Sequence, residues 1–262
     1  MSELLRFDDE AARAIEAVYT TPDVIEQRRT VLSALALRPG ERVLDLGVGP
    51  GLLAAEMADA VGRNGLVQGV DLSPSMLAMA GNRARPAGAA PVEVRQADVT
   101  ALPFPDAAFD AAVSTQVYEY VPDMPAALAE AHRVLVAGGR LLVLDTDWDS
   151  IVWRSDDDGR MARVLAVWDD HLVHRDLPRR LPELLAGAGL ALRTAAVVPI
   201  LNVGYRRETY SHGMIDLVAK FVAGRGDVSA AEAAAWADDL RAMGDRYFFS
   251  LSRYLFVAGR PA

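Results

Sequence analysis

Residues 42–57, RVLDLGVGPGLLAAEM, restrict the fold more than any other stretch of this chain. A short apolar run, Val43 and Leu44, reaches Asp45; glycines follow at Gly47, Gly49 and Gly51; an apolar helical pattern begins directly after them. That order reads as a strand, a tight turn and a helix N-terminus. Glycine tolerates left-handed backbone angles and puts no Cβ between the chain and a bound molecule. The helix start adds unpaired N–H groups and positive dipole character. The segment is expected to hold a nucleotide-like cofactor.

Strand-like runs recur at 42–46, 66–70, 92–96, 109–114 and 140–145, with helical patterns between them at 51–61, 74–85 and 123–136. Ser73-Pro74 makes a helix start and Gly138-Gly139 a stop. This alternation predicts a parallel sheet covered by helices. Upstream, 9–19 and 22–37 read as helices, the second opened by Thr21 and Pro22 and ended by Pro39-Gly40. After Asp145 the rhythm changes. A short amphipathic helix is expected at 178–188, strands at 191–198 and 247–258, and at least two helices over 199–246, one opened by Ser229 with Glu232 as a capping box. The expectation is one domain over 1–262: a helical extension (1–40), a cofactor-binding core (41–147), and insertions at 148–176 and 199–246 that form a lid over an acceptor.

Composition narrows the function. An apolar content of 52% supports a sizeable core, and a net charge of −9 argues against nucleic acid as a partner. The chain has no cysteine, which removes disulfides, thiolate metal sites and a cysteine nucleophile. The first nineteen residues carry early acids and no apolar core, unlike a signal peptide. No apolar run approaches the roughly 20 residues of a membrane span. A soluble, cytoplasmic protein is expected.

Dinucleotide folds carry G-x-G-x-x-G at the place of the glycine turn. Here the spacing is Asp45-x-Gly47-x-Gly49-x-Gly51. The second strand run leads to Asp71, about twenty residues beyond the glycines, where an acid can accept hydrogen bonds from a ribose diol. The third runs into Ala97-Asp98-Val99, an acid beside an apolar residue, suited to an adenine amino group and ring. The fourth runs into Ser114-Thr115-Gln116.

Taken together, DLGVGPG (45–51), VDLSPSML (70–77), ADVTALPFPDAAFD (97–110) and HRVLVAGGRLLVLD (132–145) resemble class I S-adenosylmethionine-dependent methyltransferases. The resemblance is to small-molecule enzymes related to the ubiquinone and menaquinone biosynthesis C-methyltransferases. It covers about residues 41–147, and the two late strands agree with the family's closing hairpin. It implies an α/β, Rossmann-like fold: a seven-stranded, mostly parallel sheet with an antiparallel last strand and a helical lid. It implies S-adenosylmethionine as cofactor and transfer of a methyl group to oxygen, carbon or nitrogen of a small, apolar or aromatic acceptor. The alternatives are a protein of this fold that binds the cofactor without methylating, or a macromolecule methyltransferase.

The resemblance also implies residue roles. Asp45 and the glycine loop would hold the methionine part, with Gly47, Gly49 and Gly51 giving close backbone approach. Asp71 would bind the ribose hydroxyls, and Leu72 and Met76 would flank the adenine. Asp98 would bind the adenine amino group, with Val99 against the ring. Gln116 would sit near the methyl group, and Tyr19 would close over the cofactor. Asp45 would repel a pyrophosphate but suits a sulfonium ligand, which disfavours a nicotinamide cofactor.

His171, His174 and His212 fall in the insertions and are the general-base candidates for methylating a phenol or enol. His132 lies within a helix and reads as structural. Asp145, Asp147 and Asp149 alternate at a strand end; they read as strand-end polar residues ahead of a cation site, and no metal is expected. Trp148, Trp153, Trp168, Tyr205, Tyr210 and Phe221 cluster in or near the insertions, as core or as the lining of an apolar acceptor pocket.

Overall fold

The computed structural model describes residues 9–262. Helices α1 (Asp9–Tyr19) and α2 (Pro22–Leu35) precede the alternating part of the chain. There β1 (Arg42–Leu46), α3 (Leu52–Val61), β2 (Leu66–Asp71), α4 (Pro74–Asn82), β3 (Val92–Gln96), β4 (Phe109–Thr115), α5 (Met124–Val134) and β5 (Leu135–Trp153) follow in turn. The rest is α6 (Asp158–Trp168), α7 (Leu177–Gly187), β6 (Ala191–Val203), α8 (Tyr210–Val222), α9 (Ala230–Ala242) and β7 (Phe248–Gly259).

The strands form one sheet in the order β3-β2-β1-β4-β5-β7-β6. β1 to β5 pair in parallel, and β7 runs antiparallel to both β5 and β6. This is the α/β, Rossmann-like class I architecture expected from the sequence. Inner strands read as continuous apolar runs because helices cover both faces. On β5, Leu141 and Val143 face α5 and α7, while Leu142 and Leu144 face α2 and α3, so the period-two alternation feeds two separate cores. The strand order reverses between β1 and β4, and in open α/β sheets the crevice beyond the carboxyl ends at such a point receives the ligand.

Two strand ends differ from the sequence pattern. β5 continues beyond Asp145 and, past an irregularity, pairs Val152 with Ser250 and Trp153 with Phe249. β6 continues through Pro199 to Val203. Pro199 reads as a strand end, yet β6 is an edge strand, where a missing N–H is tolerated. The insertions expected at 148–176 and 199–246 therefore start as sheet. Beyond the parallel core, β5, β7 and β6 carry on as a three-stranded ribbon.

One face of that ribbon packs on α6, α8 and α9 around Trp153, Trp236, Phe249 and Tyr247, with Val18 and Val24 from the N-terminal helices. The opposite face leaves Val152, Val197, Leu201 and Val203 more than half exposed (53–60%). The Ser229 hydroxyl accepts from the Glu232 N–H at 3.2 Å, one arm of the expected capping box. The Glu232 carboxylate is engaged elsewhere, with Arg163 of α6. No helix among the described residues is long and apolar enough to cross a membrane.

Candidate active site

The three glycines of the turn do different work. All have left-handed φ: +78° at Gly47, +50° at Gly49 and +76° at Gly51. A Cβ on Gly47 would lie 2.2 Å from a methyl of Val117, and one on Gly51 would lie 2.7 Å from Ala80 Cα, so these two allow close packing against the loop after β4 and against α4. A Cβ on Gly49 would meet nothing within 4 Å. Gly49 is the position open to an incoming molecule. The N–H groups of Gly47 and Val48 both donate to Val70 O at 2.8 Å, which pins the turn to the end of β2.

Asp45, one residue from the end of β1, is 2% exposed, and its Oδ2 has no hydrogen-bond partner among the described residues. Burial, reinforced by the negative charge of Asp71, pushes its carboxyl up to about 8. Asp71, at the end of β2, accepts the Gly49 N–H and the Ser73 N–H, each at 2.9 Å. Burial raises its carboxyl against those N–H groups. The two acids thus stand on neighbouring strands at the carboxyl edge, with the glycine turn strapped to the second.

Beside them, the Ala97 N–H donates to Asp71 O at 3.2 Å, bringing the segment after β3 alongside. Asp98 is exposed and accepts from Thr100 N–H at 2.9 Å and Thr100 Oγ1 at 2.8 Å; Val99 behind it is buried. Leu72 is 41% exposed, whereas Met76 is buried in the first turn of α4 with its N–H on the Ser73 hydroxyl.

Gln116 follows β4 with φ +56°, a strained value for a side-chain-bearing residue. Its N–H and Nε2 both donate to Leu144 O, at 2.8 and 3.2 Å, and its Oε1 accepts from the Thr146 hydroxyl at 2.5 Å. Tyr19 ends α1 with its carbonyl held by Arg28 Nη1. Burial pushes the Tyr19 phenol well above its usual range; Arg253 opposes this, and Tyr210, Glu119 and Asp71 add to it. Tyr19 therefore stands between the acid at the end of β2 and a second polar cluster farther along the sheet.

Each histidine candidate has contacts of its own. His171 is fully buried, stacked on Trp168 at 3.8 Å and edge-on to Trp148 at 5.2 Å. Its Nδ1–H donates to Trp168 O, and burial pushes it down to about 4. His174 has Nε2 on Val121 O and Nδ1 on Arg180 Nη2, both at 3.0 Å, which leaves neither ring nitrogen for an acceptor. His212 bonds the Tyr205 hydroxyl through Nδ1 at 2.7 Å. These contacts are packing and strapping interactions, and His171 Nε2 is buried with no hydrogen-bond partner among the described residues.

The acids of β5 share one parity but differ in burial and partners. Asp147 is paired with Arg179, and Asp149 with Arg179 and Arg175. Asp145 points the same way as Leu141 and Val143, fully buried, with no partner at normal hydrogen-bond geometry for either oxygen among the described residues, although the backbone of Val117 and Glu119 is near enough to favour its charged form. Its carboxyl is raised far above the usual range by burial and then by Glu119. The aromatics singled out in the sequence are mostly core: Trp148, Trp153, Trp168, Tyr210 and Phe221 are buried together.

Sequence reasoning missed Glu119 and Arg253. Glu119 lies in the helical turn Tyr118–Tyr120, fully buried; its Oε2 accepts Trp148 Nε1–H at 3.0 Å and Thr146 N–H at 3.4 Å. Its carbonyl accepts the N–H groups of Val173 and His174 at 3.1 and 3.0 Å, and burial pushes its carboxyl up to about 7. Arg253 lies in mid-β7 and bonds Thr146 Oγ1 and Gln27. The available signal was a charge at inward parity, between Leu251 and Leu255.

A family profile described as a methyltransferase domain matches residues 44–143. The chain is 34% identical over 247 residues, 93% of this chain and 70% of the relative, to an uncharacterised 37.1 kDa protein in a transposon of Streptomyces fradiae. It is 43% identical over 119 residues, 45% of this chain and 51% of the relative, to a 2-phytyl-1,4-naphtoquinone methyltransferase of Synechococcus elongatus. The matched part thus spans about half the length of that quinone relative. Among solved structures, phosphoethanolamine N-methyltransferase 2 of Haemonchus contortus, in complex with S-adenosyl-L-methionine, is similar in fold with a TM-score of 0.62 at 21% identity, covering 98% of this chain and 58% of that one.

Proposed function

The chain belongs to the class I S-adenosylmethionine-dependent methyltransferases, and from that premise we propose that it transfers a methyl group from S-adenosylmethionine to a small organic acceptor. The observation that carries the proposal is the buried Asp45 carboxyl, with an unpartnered oxygen, at the mouth of a glycine turn whose middle glycine faces open space. A buried carboxyl left without a partner is costly and calls for a cationic or hydrogen-bond-donating ligand. S-adenosylmethionine offers both an ammonium and a sulfonium, and when bound it supplies an electrophilic methyl group.

In this reading Asp45 and the Gly47–Gly49 backbone hold the methionine end. Asp71, which spends one lone pair of each oxygen on backbone N–H groups, keeps others for ribose hydroxyls. Leu72 and Met76 bound the adenine, with Asp98 and Val99 at its edge. Gln116, fixed by three hydrogen bonds, orients the methyl end, and Tyr19 covers it. Holding the acceptor in line and excluding water is the main task left to the protein, and orientation of that kind is worth about 7–11 kcal/mol of barrier. The lid helices α6, α8 and α9, with the ribbon beneath them, form the wall on the acceptor side. Their aromatic core favours an apolar or aromatic acceptor.

Isothermal titration with S-adenosylhomocysteine tests the donor half. Binding in the micromolar range is expected, and no detectable heat overturns the proposal. Incubation with methyl-labelled cofactor and a small-molecule extract tests the transfer: label moving into extract compounds supports an enzyme, and binding without label transfer leaves only a binding protein.

A further inference from the structure

Arg253 is the most buried arginine among the described residues, 1% exposed in the middle of β7. Its Nε donates to Thr146 Oγ1 at 3.3 Å, its Nη1 donates to Gln27 Oε1, and its guanidinium lies over the Tyr210 ring, 4.7 Å from the centroid. Each of these partners is neutral. Arg28, Arg83 and Arg140 are less buried, yet each has an acid within ion-pair distance: Glu56, Glu16 and Glu41. Arg253 has none among the described residues. Glu119 and Asp145 feel its charge without contacting it; a guanidinium withdrawn from water with no acid in contact is costly, and its planar fork of donors matches a carboxylate or another oxygen anion.

The surroundings of Arg253 are polar and buried. Thr146, which accepts from Arg253, donates in turn to Gln116 at the switch point. The phenols of Tyr19, Tyr120 and Tyr210 share one local field with Glu119 and, for Tyr19 and Tyr210, with Arg253. Glu119 is engaged by Trp148 Nε1 and does not pair with Arg253. Tyr19 also feels the charge of Asp71.

We infer that the acceptor is a small molecule bearing an oxygen anion, a carboxylate or an ionised phenol or enol, and that Arg253 receives that anion with Tyr210 and Gln27 framing it. The inference rests on the methyl-transfer reading above. It makes Arg253 the residue that selects the acceptor, within reach of the methyl group through the Thr146–Gln116 link.

The test uses the full chain saturated with S-adenosylhomocysteine. Acetate, benzoate and 4-nitrophenol are titrated in, with acetamide and benzamide as neutral counterparts. At least one acid is expected to bind tenfold or more tightly than its amide, about 1.4 kcal/mol. Arg253→Met is expected to remove that preference while its affinity for S-adenosylhomocysteine stays within about threefold, and Arg253→Lys to keep part of it. Tighter benzoate or acetate assigns a carboxylate, whereas growth of the yellow phenolate band of 4-nitrophenol on binding assigns an ionised hydroxyl. Equal binding of acids and amides by the wild type, binding of neither, or an unchanged preference in Arg253→Met overturns the inference. The wild-type comparison decides alone if Arg253→Met does not fold. Failure to bind S-adenosylhomocysteine strikes the methyl-transfer reading instead.

Discussion

Asp45 couples the site to pH. The folded protein binds its proton far more tightly than the unfolded chain does, so between its usual 3.8 and about 8 the native state carries the extra proton. Stability from this group therefore falls as pH rises across that window. Asp45→Asn should flatten the slope and raise the unliganded Tm at pH 8 by a few degrees, given about 2–4 °C per kcal/mol for a chain of this size; thermal melts at pH 5 and 8 check it. Ligand binding runs the opposite way. The charged carboxylate is the form that holds an ammonium, so affinity for S-adenosylhomocysteine should climb from pH 6 to pH 8 in the wild type and stay flat in the variant. Asp71→Ala should weaken that affinity tenfold or more by calorimetry, through loss of the ribose contact and of the strap to Gly49; unchanged affinity would refute the role.

At this scale the sequence exposed the motif residues, because spacing between strand end, glycine and acid is a local pattern. Glu119 and Arg253 have no such pattern. Each is a single charge whose meaning comes from partners 27 to 226 positions away in the chain.

Among elements, the turn after β1 depends on the loop after β4. Gly47→Ala would combine a left-handed alanine with a methyl contact to Val117, costs of about 1–3 kcal/mol each. Chemical denaturation should show the loss, and adding Val117→Ala should restore the steric part but not the backbone part. In the ribbon, Trp236 is fully buried against Trp153, with ring centroids 5.2 Å apart. Trp236→Ala should cost about 3–5 kcal/mol, read as a lower denaturation midpoint. The alternating strands and helices were legible from periodicity. The ribbon was not, since Pro199 imitates a strand end and β5 crosses an irregularity before resuming its pairing. The contacts of the late histidines were not legible for a related reason: an insertion's position along the chain does not say which way its side chains turn.

For the molecule as a whole, helices on both faces of the parallel sheet follow from continuous apolar strands, and the fold class was readable before any coordinates. The polar cluster around Glu119 and Arg253 was not, because it is assembled from α1, α2, the loop after β4, and the far halves of β5 and β7. These converge only in three dimensions, with the Arg253–Gln27 contact joining the two ends of the chain. The uncovered face of the ribbon carries a further consequence. Val152, Val197, Leu201 and Val203 give the sheet a sticky edge, beside an outermost strand whose backbone has no neighbour on one side. Edge strands of that kind recruit copies of themselves when crowded or warmed. Leu201→Lys should raise the concentration at which light scattering first appears. Storage behaviour would then be governed by four aliphatic side chains far from Asp45, on a surface that contributes nothing to binding the methyl donor.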